Sequence, residues 1–166
     1  DFTFNRIFKK KISVKNMEYS QIKKISNQNK KPIPLLRDLL NASKNKYPLF
    51  IEIKPNFSKK ILQKLLKITK KFSKCTFISF KHKNIYNLLK IKNNAKAGLS
   101  FSHSTSVKTI IKKSKNQKID CLILDKFFLK NKIIQGLKIK KYYYTVKTKS
   151  EFRKYSKNNN LIFENL

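Results

Sequence analysis

The five residues Ile51-Glu52-Ile53-Lys54-Pro55 carry the clearest chemistry in this sequence. In an extended strand, residues two apart point to one face, so Glu52 and Lys54 share a side. A carboxylate buried in an apolar strand needs a cation, and Glu52 could take a metal, Lys54 itself, or both. Without a functional role, the same two residues are an ion pair at a strand end. Only eight acids occur in 166 residues, so an acid inside an apolar run is conspicuous. The two histidines are less informative. His82 follows Ile78-Ser79-Phe80 and His103 follows Phe101-Ser102, and both read as loop residues after strands, where a solvated imidazole is ordinary. Cys75 and Cys121 have no second Cys or His at ligand spacing, so there is no zinc motif. Both sit in apolar runs and read as buried, reduced thiols.

The charge balance is extreme: 41 Lys+Arg against 8 Asp+Glu, a formal net charge of +33. Such a balance first suggests nucleic acid or an anionic membrane. However, 38 of the 41 basic residues are Lys, and Lys, Asn and Ile, with AT-rich codons, fill 75 positions, whereas Gly, Ala, Pro and Arg together fill 12. Base composition therefore accounts for much of the Lys excess, though not for the scarcity of acids. Arg is the better fork for phosphates and base edges, and its near absence argues against sequence-specific reading of nucleic acid. With 40% hydrophobic and 12% aromatic residues the chain is no disordered polybasic tail. No apolar run approaches the length of a membrane-spanning helix. The expected compartment is the cytoplasm, with an upstream secretion signal left open because the chain begins at Asp1 rather than Met.

The elements that must position these residues alternate along the chain. Strands are expected at residues 49–54, 76–80, 97–100, 121–124, 142–146 and 161–163, each a short, nearly continuous apolar run typical of a parallel strand covered on both faces. Helices lie between them. After Ser58, a plausible N-cap, Ile61, Leu65, Ile68 and Phe72 form a stripe widened by Leu62 and Leu66. Ile85, Leu88 and Leu89 mark a second helix and Val107, Ile110 and Ile111 a third. Leu129, Ile133, Ile134 and Leu137 mark a fourth that ends near Gly136. Thr148-x-x-Glu151 is a capping box that puts Phe152 and Tyr155 on a buried face. Pro32-Ile33-Pro34 leads into a short helix through Leu35, Leu36, Leu39 and Leu40.

This βαβα series predicts an α/β fold with a parallel sheet and right-handed crossovers. With only Gly98 and Gly136, there is no phosphate loop, which removes the dinucleotide-binding and P-loop forms of an open sheet. Another open doubly wound sheet or a (β/α) barrel of TIM type would fit; a barrel needs eight strands and about six are present, so a barrel here would be incomplete, with residues 1–166 as one domain. In such barrels the C-terminal strand ends do the chemistry, which is where Glu52 and Lys54 stand.

Several stretches, in order, resemble the glycerophosphodiester phosphodiesterase family. Ile33-Pro34-x-Leu36 followed by Phe50-Ile51-Glu52-Ile53-Lys54 is similar to the family's I-P-x-L and I-E-I-K segment. Asp1-Phe2-Thr3-Phe4-Asn5-Arg6 resembles its H-D-x-T-L-x-R stretch, beginning one residue after the histidine. Ile78-Ser79-Phe80 resembles its S-F strand end, and Ala97-Gly98-Leu99 falls where it has a further strand. Tyr144-Thr145-Val146-Lys147 resembles W-T-V-N, and Leu161-Ile162-Phe163-Glu164-Asn165 resembles its closing strand.

The resemblance implies a barrel, of which this chain would be the C-terminal two-thirds, that hydrolyses glycerophosphodiesters to sn-glycerol 3-phosphate and an alcohol with a divalent cation, Mg or Ca. It implies that Glu52 is a metal ligand, that Lys54 contacts the substrate phosphate, and that Tyr144 and Phe80 line the substrate pocket. A hard cation and an ammonium on one face suit a phosphoryl group.

The family's H-R-G motif, its other acidic metal ligands and its acid/base histidine would all lie upstream of Asp1, so no catalytic residue is expected within this chain. Lys147 stands for the usual Asn and Glu164 for the usual Thr. The expectation is a fragment of a longer enzyme, inactive alone; the alternative is a degenerate, non-catalytic homologue. Rivals are a Lys-rich module that binds nucleic acid, or one drawn weakly to an anionic membrane surface. Lysines spread through nearly every helix and loop speak against the first, which wants them on one face.

Overall fold

The computed structural model describes residues 3–164. Asp1 and Phe2 of the first matched stretch, and Asn165 of the last, lie outside the described residues. The chain packs as two compact units: one runs up to Pro48 and includes Leu65–Lys74, and the other comprises Leu49–Lys64 and Cys75 onward.

The first unit carries α1 (Asn5–Phe8), a 3-10 turn (Val14–Asn16), α2 (Tyr19–Gln28) and α3 (Leu36–Ser43). Phe4, Phe8 and Leu40 are buried, and the two phenyl rings lie 5.4 Å apart. The helix α3 is the one expected after Pro34. Asp38 Oδ2 accepts the Leu35 N–H at 2.9 Å and so satisfies one of the donors that a helix start leaves open. The helix α2 was not anticipated. Its start is held by Gln21 Oε1, which accepts the Glu18 N–H at 2.9 Å, and its only apolar residues past Tyr19 are Ile22 and Ile25.

The second unit is built on β1 (Leu49–Glu52), β2 (Cys75–Ser79), β3 (Ala97–Phe101), β4 (Cys121–Asp125), β5 (Lys140–Val146) and β6 (Asn160–Phe163). All six pair in parallel and in sequence order. The connections carry α4 (Lys59–Thr69), α5 (His82–Ile91), α6 (Val107–Ser114), a 3-10 turn (Lys126–Lys130) with α7 (Lys132–Gln135), and α8 (Lys149–Tyr155).

The sheet is strongly curled. The Phe50 ring on β1 meets the Tyr142 ring on β5 at 4.8 Å, although four strand spacings in a flat sheet would separate them by about 19 Å. Alternation along the strands then sorts the residues. Ile78, Cys121 and Ile123 form a buried cluster on the concave face, with Tyr142, Tyr144 and Ile162 packed against it. The intervening Phe77, Leu99, Leu122, Leu124 and Tyr143 are buried on the alternate, convex face. This is an incomplete parallel (β/α) barrel, six strands with β1 and β6 as its edges. Both cysteines are buried free thiols, and burial pushes that of Cys121 up to about 12.

Several expectations need correction. The edge strands are not covered on both faces: Phe50, Glu52 and Phe163 are exposed, because an edge strand on an open cup lacks the layer that would cover it. In α4 the buried residues are Leu62, Leu65 and Thr69, while Ile61 is 46% exposed and Phe72 falls beyond the helix end. The expected fourth helix is split. Asn131 Oδ1 accepts the Ile134 N–H at 3.0 Å and starts α7 afresh after the 3-10 turn, which leaves Ile133 exposed. His82 is not a loop residue but the first residue of α5.

Candidate functional site

The C-terminal ends of the strands form one rim of the cup, and the described residues with chemistry gather there. Glu52 is the last residue of β1, and its Oε2 accepts a hydrogen bond from Lys54 Nζ at 2.9 Å. The side chains are 30% and 39% exposed respectively, so the carboxylate is not buried as its apolar strand suggested. An open cup leaves it hydrated, and the ion pair lies where ligand can reach both partners.

The loop that carries Lys54 is pinned from below. Ser79 Oγ donates to the Ile53 carbonyl at 2.5 Å and accepts the Lys81 N–H at 3.0 Å. Asn84, on α5 and 2% exposed, donates through Nδ2 to the Pro55 carbonyl at 2.7 Å and accepts the Phe57 N–H at 3.0 Å. Both polar ends of one buried amide are thus spent on residues 55–57.

Tyr144 stands across the cup on β5, and Phe80 directly follows β2, the neighbour of β1. Tyr144 donates its hydroxyl to the Phe101 carbonyl at 3.0 Å, and its ring meets the exposed Phe80 ring edge-to-face at 5.7 Å. Burial, together with the negative charges of Asp125 and Glu52, pushes the Tyr144 hydroxyl up to about 12. One phenol therefore lies within electrostatic reach of two carboxylates on different strands. Of the four residues assigned by the resemblance, the structure pairs Glu52 with Lys54 and, separately, Phe80 with Tyr144.

Asp125 had escaped the sequence reading. It closes β4 and pairs in register with Tyr144. Its Oδ1 accepts the Phe127 N–H at 2.9 Å, capping the 3-10 turn, while Oδ2 faces Nδ1 of the exposed His103 across 4.0 Å. The signal was available, since Cys121-Leu122-Ile123-Leu124-Asp125 places an acid at the end of an apolar strand just as residues 49–52 do. Ser100 is a further polar residue on the concave face, and its hydroxyl is buried with no partner among the described residues.

The other histidine is structural. His82 Nε2 donates to the Ser100 carbonyl at 2.9 Å, which leaves Nδ1 to accept from Lys113 Nζ at 2.5 Å, and the ring packs on Phe101 at 4.8 Å. Burial is the main cause that holds its basicity below the usual imidazole range. The Lys113 charge lowers it further, and the Ser100 carbonyl pulls the other way. Because the unfolded chain takes up the proton first as pH falls below about 6.5, His82 makes the fold less stable on acidification from 7 toward 5. An NMR titration of the His82 ring should give a midpoint below the ordinary imidazole value of about 6.5, and a midpoint above it would rule out this assignment.

A divalent cation of the Mg or Ca kind takes six or more oxygen ligands. Among the described residues, no three His, Cys, Asp or Glu side chains gather into a group that could hold a metal. Glu52 already holds the Lys54 ammonium. The described residues alone do not make a divalent-cation site. A cavity of about 510 Å³ lined by Lys59, Gln63, Asn87, Lys90 and Ile91 lies elsewhere. It contains no carboxylate, histidine or cysteine, so the rim is the better candidate. No described helix is long and apolar enough to cross a membrane.

The sequence matches no protein-family model and no curated protein. Solved structures do match. The Oleispira antarctica phosphodiesterase, solved with its product sn-glycerol 3-phosphate, aligns over 98% of this chain and 72% of its own, with 15% identity and a TM-score of 0.78. The glycerophosphodiester phosphodiesterase of Agrobacterium tumefaciens aligns over 98% and 75%, with 14% identity and a TM-score of 0.72. That of Parabacteroides distasonis aligns over 91% and 68%, with 14% identity and a TM-score of 0.68. This six-stranded cup, with Glu52 and Lys54 on its rim, therefore has the fold of the glycerophosphodiester phosphodiesterases over roughly seven-tenths of their length.

Proposed function

We propose that this chain carries the phosphate-binding side of a metal-dependent glycerophosphodiester phosphodiesterase, which hydrolyses glycerophosphodiesters to sn-glycerol 3-phosphate and an alcohol. The observation that carries this reading is the Glu52–Lys54 pair on the C-terminal rim of a sheet with that fold. Lys54 Nζ is partly exposed and, among the described residues, bonded to a neighbouring carboxylate, so it can turn to a phosphate oxygen at small cost. Phe80 and Tyr144 add an edge-to-face aromatic pair at the same end of the sheet. A bound divalent cation would supply charge to a phosphoryl oxygen, with Glu52 as one of its ligands and the others drawn from outside the described residues.

These 166 residues are expected to bind without turnover. Hydrolysis by this route needs the divalent cation, and among the described residues no three His, Cys, Asp or Glu side chains gather to hold one. In an NMR titration, sn-glycerol 3-phosphate should shift the amides of Lys54 and Tyr144 saturably, and Lys54→Ala should weaken binding roughly tenfold, the effect of one charge-assisted hydrogen bond. Phosphorus NMR should show no loss of glycerophosphocholine with Mg or Ca present. Absence of any saturable shift would defeat the reading, and metal-dependent hydrolysis would defeat the expectation that the chain is inactive alone.

A further inference from the structure

Away from the rim, the hydroxyl of Tyr143 is buried and has no hydrogen-bond partner among the described residues. The residue is 1% exposed, so bulk water does not reach it. Burial pushes this phenol up to about 12, so it keeps its proton at neutral pH and remains a donor. A buried donor without an acceptor is rare in a folded chain. Tyr143 also lines a cavity of about 260 Å³ at the starts of β5 and β6, the opposite end of the sheet from Glu52 and Lys54. Lys141 lies two residues earlier on the same face of β5. Lys140, Gln135, Asn158 and Asn160 add further polar groups to the wall.

Much of this wall is held by its own hydrogen bonds. Lys141 Nζ donates to the carbonyls of Gln135, at 3.1 Å, and of Leu137, which leaves one N–H of its three. Asn160 Nδ2 donates to the Lys141 carbonyl at 2.9 Å, and Gln135 Nε2 to the Leu129 carbonyl at 3.0 Å. Lys140 is exposed, with Nζ 5.4 Å from the centre of the Tyr142 ring. No carboxylate lines the cavity, and both charged side chains in its wall are ammonium groups.

From this arrangement we propose that the cavity binds a small tetrahedral oxyanion, phosphate or sulfate, held by the Tyr143 hydroxyl together with Lys140 and Lys141. Two ammonium groups repel a metal cation and favour an anion. A tetrahedral oxyanion has enough oxygens to accept from a phenol and both ammonium groups at once, each a charge-assisted bond. The cavity is smaller than the roughly 300–1,000 Å³ typical of sites for drug-sized ligands, so an ion fits it better than a cofactor. This site does not depend on the phosphodiester reading, because it lies at the other end of the sheet.

The test is an NMR titration of the isotope-labelled chain with inorganic phosphate at physiological salt. The amides of Tyr143, Asn158 and Asn160 should shift saturably and together, and sulfate should compete. The same shifts should persist in Lys54→Ala, which separates this site from the rim. Tyr143→Phe keeps the ring and removes only the oxygen. It should weaken phosphate at these amides roughly tenfold, the value of one charge-assisted hydrogen bond. Lys140→Ala, at an exposed position where folding is not at stake, should weaken it by a smaller factor. Absence of a saturable shift at these amides would overturn the site. So would an affinity unchanged in Tyr143→Phe, which would assign the hydroxyl to a buried water instead.

Discussion

Gly98→Val is expected to lower the unfolding free energy by about 3 kcal/mol, the upper part of the range for forcing extra methyl groups into a packed interior. Gly98 is the second residue of β3, on the face toward the cup. A Cβ there would sit 2.7 Å from Cys121 Sγ, 3.1 Å from the Cys121 carbonyl oxygen and 3.2 Å from Ile78 Cγ2. The sulfur can swing aside but the carbonyl belongs to the paired backbone of β4 and cannot. Alanine at 98 should therefore already cost about 1–2 kcal/mol, and valine adds two carbons with nowhere to go. Combining Gly98→Ala with Cys121→Ala should recover part of the loss, since only the side-chain half of the clash is relieved. Thermal unfolding followed by circular dichroism is the check: valine should lower Tm by roughly 6–12 °C. An unchanged Tm would mean that the sheet opens at β3–β4 more easily than its packing indicates.

Asn84→Leu should be comparably damaging for a different reason. Leucine fills the volume but leaves the Pro55 carbonyl and the Phe57 N–H without the partners they have now. Each orphaned polar group costs about 1–3 kcal/mol, so a total of about 2–6 kcal/mol is expected. The damage should also be local. Residues 55–57 follow Lys54 directly, so releasing them frees the ammonium from its station beside Glu52. Amide hydrogen exchange at Phe57 should accelerate well beyond the global change, and affinity for sn-glycerol 3-phosphate should fall with it. Exchange at Phe57 that accelerates only as much as the β3 core would show that Asn84 supports the fold as a whole and not the loop.

These two residues mark what a single sequence does and does not disclose. The six strands were legible because a parallel strand under helices has to be apolar along its whole length, and short continuous runs such as Cys121–Leu124 have few other uses. The rim pair was legible for the opposite reason, since an acid breaks such a run. Asp125 breaks one in the same manner but sits on its boundary, where an acid also suits an ordinary loop. Ile61 and Leu62 are equally apolar neighbours on α4, and only the direction of the helix decides that Leu62 is buried and Ile61 exposed. The helix α2 has two apolar residues past its first and a glutamate where a start signal would show serine or threonine. His82 and Asn84 look like polar residues following a strand. Their roles come from partners 18 to 31 residues away, which no local pattern encodes.

The pairing register of the curled sheet has a consequence of its own. Followed from strand to strand, the row that leaves β1 at Glu52 passes Ile78, Gly98 and Cys121 and reaches β5 at Lys140. The residue that senses Glu52 electrostatically is Tyr144, four positions further along. Phe50 meets Tyr142 with the same offset. Four residues of climb over four strands is the pitch of a closed eight-stranded barrel, one residue per strand. The hydrogen-bonded rows are therefore a ramp rather than level rungs, and who faces whom across the cup is decided by the diagonal. Two residues added at the start of β5 would keep every side chain on its face and yet bring Tyr142, not Tyr144, opposite Glu52. The aromatic repeat Tyr142-Tyr143-Tyr144 means that such a slip would still leave a phenol in place, so this sheet can tolerate a shift of frame that would erase the rim in a strand without that repeat.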